Sequence, residues 1–321
     1  SNEINFEKIS GYGCDEICKS AKEKIRAACD CPNAEIHFLV GGTQTNATVI
    51  DALLKRYETV ITANTGHITE HEAGAIEAKG HKVTMLPSHE GKISCDDLLA
   101  FLKNYFDDEN NAHIVRPGVV YISFPTEFGT IYSLDELKSL RKICDEYNLK
   151  LYLDGARLGY GLSASSDVTL KDIAKYCHAF YIGGTKVGAM FGEAVVFTEE
   201  NLVPHFFTLI KQNGALLAKG WLLGVQFDTL FTDDLYFKIS DNAIKMAKRI
   251  EQAFVQKGYK IFIDSPTNQK FIVLENSKMQ ELKKSVSFSY WQKFDENHTV
   301  VRFATSWATT DEQVDELLRL I

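Results

Sequence analysis

The chain has 321 residues, with 43 acidic and 35 basic side chains and a formal net charge of −8. A chain this long buries about three quarters of its unfolded surface, so it needs neither metal nor disulfide to fold, and its length suggests about two domains. The acidic balance argues against a general nucleic-acid binder, and no apolar run approaches the ~20 residues that span a bilayer.

The start, Ser1-Asn2-Glu3-Ile4-Asn5, lacks the charged-then-apolar order of a signal peptide. Seven cysteines, an odd number scattered among apolar neighbours, read as reduced thiols in a cytoplasmic protein. Cys14-x3-Cys18 and Cys29-x-Cys31 do not have the spacing of a zinc ribbon, and Cys14 to Cys29 follows a helical pattern, so buried thiols and no metal are expected.

After that helix, short apolar runs alternate with amphipathic helical segments. The runs are 37–40, 60–62, 82–86, 119–123, 149–153, 179–182 and 194–197; they are β-branched or aromatic and end in Gly, Pro or Asp, as buried strands do. Between them, Ala47 to Leu54 reads as a helix. Ser94 opens another, and Ser133 with Glu136 forms a capping box before Leu137, Leu140 and Cys144. Strand and helix alternating over some 160 residues predict an α/β fold with a large, mostly parallel sheet covered on both faces. The segment from Gly183 to Gly192 is too short for a crossover helix, so the strand after it should run antiparallel.

Beyond Pro204, residues 205–231 read as mostly helical and strongly apolar. A helix over 241–257, strands at 271–274 and 300–303 and a last helix from Thr310 predict a small C-terminal α+β domain. The division is placed near residue 235, giving domains 1–235 and 236–321.

Four places put polar groups at the ends of expected strands, where open α/β sheets bind ligands. Gly41-Gly42-Thr43-Gln44-Thr45-Asn46 joins a strand to a helix N-terminus, which suits an anion, although an ordinary capped turn looks the same. Asp154 follows an apolar strand directly, as an N-cap also would, and Arg157 stands three residues on, placed to grip a carboxylate. Lys186 sits in the Gly-rich turn Gly183-Gly184-Thr185-Lys186-Val187-Gly188; a desolvated lysine there has the lowered pKa that a Schiff-base nucleophile needs, whereas a solvated one is ordinary. His67 and His71 have i,i+4 spacing, but the zincin order His-Glu-x-x-His is absent, leaving a ring-stacking or a structural histidine. A phosphate cradle, an acid for a pyridinium proton, an amine and a stacking ring are together the parts of a pyridoxal 5'-phosphate site.

Taken with Gly11-Tyr12-Gly13 and Arg302-Phe303-Ala304-Thr305-Ser306-Trp307, these motifs span nearly the whole chain. It resembles the low-specificity L-threonine aldolases of the β-eliminating lyase superfamily, with the aspartate-aminotransferase-like fold (fold type I). The resemblance implies that Lys186 carries the Schiff base, Asp154 pairs with the pyridine nitrogen and His67 stacks on the ring. It places Gly42, Thr43, Gln44, Thr126 and Thr185 around the cofactor, with Gly42 and Thr43 on its phosphate, and Arg157 and Arg302 on the substrate carboxylate. It implies cleavage of L-threonine and L-allo-threonine to glycine and acetaldehyde, in a cytoplasmic homodimer or homotetramer with shared active sites. The apolar helix around 214–231 would suit that interface, or simply the core. The partners implied are a small amino acid and further copies of the chain, not nucleic acid or membrane.

Three departures from the family pattern stand out. No Asp-Tyr-Ser or Ser-Asp-Thr run of an N-terminal arm stands among these residues. Pro125-Thr126-Glu127 replaces a Thr-His pair, and Asn213 stands where close relatives carry Arg, so Lys211 or Lys219 would supply the partner's phosphate contact. The base that takes the β-hydroxyl proton is then His67, His71, Glu127 or a water, with His67 or a water it positions ranked first. The alternatives are a β-eliminating lyase acting on another amino acid and a non-catalytic homologue that keeps the fold. A nicotinamide oxidoreductase is disfavoured because the glycine fingerprint is missing.

Overall fold

The computed structural model describes residues 2–321. Seven strands form the large sheet: β1 (Glu35–Leu39), β2 (Glu58–Ala63), β3 (Lys82–Leu86), β4 (Arg116–Ser123), β5 (Lys150–Asp154), β6 (Ala179–Gly183) and β7 (Glu193–Phe197). Their order is β1-β7-β6-β5-β4-β2-β3. The pairs from β6 through β5, β4 and β2 to β3 are parallel, and β7 runs antiparallel to both of its neighbours. All seven expected strands are present, and the reversal falls where the short connection required it.

Because strand side chains alternate, each central strand feeds two cores. Val120, Ile122, Leu151, Leu153, Phe180 and Ile182 pack on one face. Val119, Tyr121, Tyr152, Tyr181 and Val195 pack on the other. Tyr121 is registered against Tyr152, and Asp154, two residues on from Tyr152, points the same way. Three phenols and one carboxylate therefore share the second face.

The capping box of Ser133 and Glu136 opens the helix Leu134–Glu146, Ser94 caps Cys95–Asp107, and Glu16–Cys29 buries Cys18, Ala21, Ile25 and Cys29. The expected helix from Ala47 begins five residues earlier, at Gly42. The apolar stretch 205–231 forms two helices, Phe206–Gln212 and Trp221–Leu230, interrupted around Gly214, whose φ is +65°. Trp221, Leu223, Phe227 and Leu230 are buried within this chain, so much of that apolar surface is core.

The helix Leu235–Gln256 begins where the domain division was placed. Its first half supplies Tyr236, Ala243 and Ile244 to the core of the large sheet, and its second half supplies Met246, Ile250 and Phe254 to that of the small one. The small sheet has four antiparallel strands: β8 (Lys260–Ile261), β9 (Gln269–Glu275), β10 (Ser289–Lys293) and β11 (His298–Ala304), in the order β10-β11-β9-β8. Strands β8 and β10 and the short helix Asn276–Leu282 are additions to the expected elements. Asp311–Leu320 closes the chain behind the capping box of Thr310 and Gln313.

Candidate active site

A cavity of about 620 Å³ opens beyond the carboxyl ends of β4 and β5, and the small sheet forms its far wall. That volume lies within the usual range for small-molecule sites. Of the residues expected at the site, His67, Thr126, Asp154, Arg157, Lys186 and Arg302 all line it. They come from the segment after β2, the loop after β4, the end of β5, the turn between β6 and β7, and β11.

Asp154 forms the floor. It is 4% exposed, and four donors converge on its carboxylate. Tyr121 Oη at 2.6 Å and Asn46 Nδ2 at 2.9 Å donate to Oδ2, while the Tyr181 hydroxyl and the Ala156 backbone N–H donate to Oδ1. Burial works against ionisation here, but the bonds from Tyr121, Tyr181 and Asn46 and the charge of His67 hold the pKa below the usual carboxylate value.

Asn46 extends this network. Its amide also donates to Glu72 Oε1 at 2.7 Å, its carbonyl accepts from Tyr152 Oη at 2.9 Å, and Glu72 Oε1 lies 2.8 Å from His67 Nδ1. Burial lowers the pKa of His67, but the Glu72 contact and the charges of Asp154 and Glu127 more than offset it, leaving the pKa raised. One oxygen or nitrogen each from His67, Glu72 and Asp154 lie within 4.8 Å of one another. Hydrogen bonds account for that grouping.

Lys186 faces this acidic floor from a turn held by its neighbours. The Thr185 hydroxyl accepts from the Gly192 N–H at 3.0 Å, and the Gly184 N–H donates to Glu193 Oε2 at 3.0 Å. Burial, then the nearby Arg157, brings the lysine pKa down to about 8 against the pull of Asp154 and Glu193. Burial pushes Glu193 up, to about 7. Tyr160 Oη accepts from the Trp307 N–H at 3.1 Å and donates to the Lys186 carbonyl, tying this turn to the segment after β11.

The two arginines have unused donors. Among the described residues Arg157 forms no ion pair and no side-chain hydrogen bond, and desolvation lowers its pKa. Arg302 donates through Nη1 to Gln269 Oε1 at 3.0 Å and lies over the Trp291 ring, with its buried Nε unpartnered. Paired guanidinium groups with free donors suit a carboxylate.

Gly42, Thr43, Gln44 and Thr185 do not line the cavity. Gly42 and Thr43 open the helix Gly42–Leu53, and Gly41 before it leaves the helix end without a side-chain cap. A Cβ on Gly41 would meet nothing within 4 Å, whereas one on Gly42 would lie 3.3 Å from Tyr181 Oη, itself on Asp154. Gln44 folds back, its Oε1 accepting from the Val40 N–H at 3.3 Å. Lys211 lies over the Tyr12 ring, and Lys219 Nζ is 3.0 Å from Asn5 Oδ1.

Asn46, Glu72, Glu193, Tyr121 and Tyr181 were not expected as site residues. Asn46 stands inside the glycine-rich motif, so its position was a usable signal. The tyrosines alternate with apolar residues in strands and look like core.

These residues fit pyridoxal phosphate: an ionised buried carboxylate, an amine with its pKa lowered to about 8 and a histidine line one cavity, and an uncapped helix N-terminus opens beside Tyr181, one of the donors to Asp154. The β-eliminating lyase family profile matches residues 4–277. A low specificity L-threonine aldolase of Pseudomonas aeruginosa is 28% identical over 99% of this chain and 90% of its own length. The solved structure of Leishmania major threonine aldolase is 39% identical and superposes with a TM-score of 0.95, covering 99% of this chain and 92% of its own. The histidinol-phosphate aminotransferase of Clostridium acetobutylicum, at 15% identity and a TM-score of 0.75, shares the fold. The chain is therefore a member of the β-eliminating lyase family, a pyridoxal-phosphate-dependent lyase with the aspartate-aminotransferase-like fold.

Proposed function

We propose that this enzyme cleaves L-threonine and L-allo-threonine to glycine and acetaldehyde. The observation that carries the reading is the meeting of Lys186, Asp154, Arg157 and Arg302 around one cavity, in a chain similar to threonine aldolases along nearly its whole length. When bound, pyridoxal phosphate supplies a conjugated cation that takes up the electron pair released at the substrate Cα.

The protein's own groups do the rest. Lys186 would hold the cofactor through its amine, whose pKa burial lowers to about 8, so that more of it is the nucleophilic free base than in an ordinary lysine. Asp154, held ionised by four donors, would keep a proton on the ring nitrogen. His67 would stack on the ring, its Nδ1 fixed by Glu72. Gly42 and Thr43, at the open helix N-terminus, would receive the phosphate, with Gln44, Thr126 and Thr185 also around the cofactor. Arg157 and Arg302 would grip the substrate carboxylate and so fix its orientation, which converts binding energy into rate.

Assembly as a homodimer or homotetramer with shared sites belongs to this reading. Phe6 and Met190 are 90% and 87% exposed, and Met190 follows the Lys186 turn. A second copy covering them would remove apolar surface from water. Seven free cysteines favour a cytoplasmic setting, and among the described residues no helix is long and apolar enough to cross a membrane.

The test is product identification. The purified protein with pyridoxal phosphate should release acetaldehyde and glycine from L-threonine and L-allo-threonine. Pyruvate from serine, with no acetaldehyde from either threonine, would overturn the reading.

A further inference from the structure

Aldol cleavage needs an acceptor for the β-hydroxyl proton. His67, favoured from sequence, is poorly set for it. Its Nδ1 is taken by Glu72 and its raised pKa favours the protonated ring, which donates rather than accepts. Glu127 differs. It lines the same cavity as Lys186 and Arg157, its Oε1 accepts from Ser123 Oγ at 2.8 Å, and its Oε2 is buried with no partner. A buried carboxylate oxygen left without a donor is costly, and a substrate hydroxyl would satisfy it.

We propose that Glu127 is a catalytic residue: its carboxylate accepts the hydrogen bond, and then the proton, of the substrate's β-hydroxyl group. The assignment rests on the aldolase reading and adds to it the group that selects β-hydroxy amino acids. As the substrate O–H bond breaks, its electron pair forms the C=O of the leaving aldehyde, and the proton passes to Glu127. The Cα–Cβ pair stays with Cα, which is later protonated to give glycine. Glu127 returns its proton to water as the aldehyde leaves, so one proton is taken and one given per turnover.

The surroundings suit a base that works near neutrality. Desolvation raises the Glu127 pKa, the charge of Asp154 adds to this, and the Ser123 bond and the charge of His67 oppose it. Arg157, just beyond Asp154, and the Tyr121 and Tyr132 phenols also act on it, and Glu70, His71, Lys186, Tyr290 and Arg302 line the same cavity. Tyr121 and Tyr132 are buried phenols whose pKa values are pushed up, so neither carries charge near neutral pH.

The experiment compares wild type, Glu127→Gln and Glu127→Asp, each loaded with pyridoxal phosphate. It measures threonine cleavage, and exchange of the glycine α-proton with heavy water followed by NMR. The exchange uses the same cavity and cofactor but involves no β-hydroxyl. The expected result for Glu127→Gln is a loss of cleavage of about 100-fold or more, mainly in kcat, with exchange within a few-fold of wild type. Glu127→Asp should recover part of the cleavage. Wild-type cleavage should fall on acidification through neutral pH, while exchange lacks that limb. Infrared difference spectra of the protein, without substrate, should show protonated-carboxyl absorption that titrates over the same range and loses the Glu127 component in Glu127→Gln, leaving that of Glu193.

Unchanged cleavage in Glu127→Gln overturns the assignment, as does an equal fall in cleavage and exchange. If the Gln variant does not fold, the limb shared by cleavage and exchange in wild type overturns it, and a limb confined to cleavage supports it. Failure of the wild type to release acetaldehyde overturns the aldolase reading and this assignment together, whereas acetaldehyde release with an unimpaired Glu127→Gln sinks this assignment alone.

Discussion

Two carboxyl groups line the same cavity and are treated in opposite ways. Asp154, on the floor, receives four hydrogen bonds from β4, β6, the helix Gly42–Leu53 and the backbone after β5. Glu127, on the wall, receives one side-chain bond, from Ser123, and keeps a buried oxygen free. Both pay for desolvation, yet the pKa of Asp154 is held down and that of Glu127 pushed up. The number of donors decides the sign. A site needs this separation when one acid must stay charged and another must exchange protons near neutral pH.

The largest effect should come from the amine that shares their cavity. Replacing Lys186 with Ala should abolish threonine cleavage and remove the visible absorbance of covalently held cofactor. A Lys186→Ala protein that kept both would break the comparison at its root, because neither carboxyl would then serve a site centred on that amine.

Next comes the floor itself. Asp154→Asn keeps the shape but puts a neutral amide among donors arranged for an anion. Turnover should fall on the order of 100-fold or more, as when a preorganised electrostatic contact is removed, while cofactor retention on gel filtration changes by only a few-fold. Equal loss of both would show Asp154 to be an anchor rather than an electronic partner.

The contrast also marks what the sequence revealed. Asp154, Arg157, Lys186 and Arg302 were legible because each breaks a local pattern: a charge at the end of an apolar strand, or a lysine among glycines. The strands of the large sheet were legible as short β-branched or aromatic runs ending in Gly, Pro or Asp, most plainly the buried parallel ones, which read as continuous apolar runs. The network beneath Asp154 was not. Tyr121, Tyr152 and Tyr181 have the alternation of core aromatics, and only the register of β4, β5 and β6 turns their hydroxyls toward one carboxylate and one amide. Glu72 is brought to Asn46 across 26 residues, a contact that no local spacing encodes. In the small domain, β10 was missed because four of its five residues are exposed at the sheet edge and only Trp291 is partly buried.

A smaller effect tests the support under the floor. Asn46 donates to Glu72 Oε1 and Asp154 Oδ2 at once, bridging two buried acids. Asn46→Ala should destabilise the protein by about 1–3 kcal/mol, the usual cost of stranding buried polar groups, measurable as a fall in the urea midpoint. It should also raise the Asp154 pKa, since a donor to the charged form is gone. Unchanged stability would mean that the tyrosine hydroxyls alone hold the floor.

The smallest effect sharpens the comparison from the other side. Ser123 is the one side chain whose hydrogen bond lowers the Glu127 pKa, so Ser123→Ala should raise it further. Glu127 must be ionised to accept a proton, and a raised pKa means that the ionised form appears only at higher pH. The acid limb of threonine cleavage should therefore move to higher pH, by about one unit or less for the loss of a single neutral hydrogen bond, with the rate above that limb nearly unchanged. A shift to lower pH would contradict the sign of the argument. No shift at all would place the limb on another group, His67 being the first to examine because its charge faces the same carboxyl.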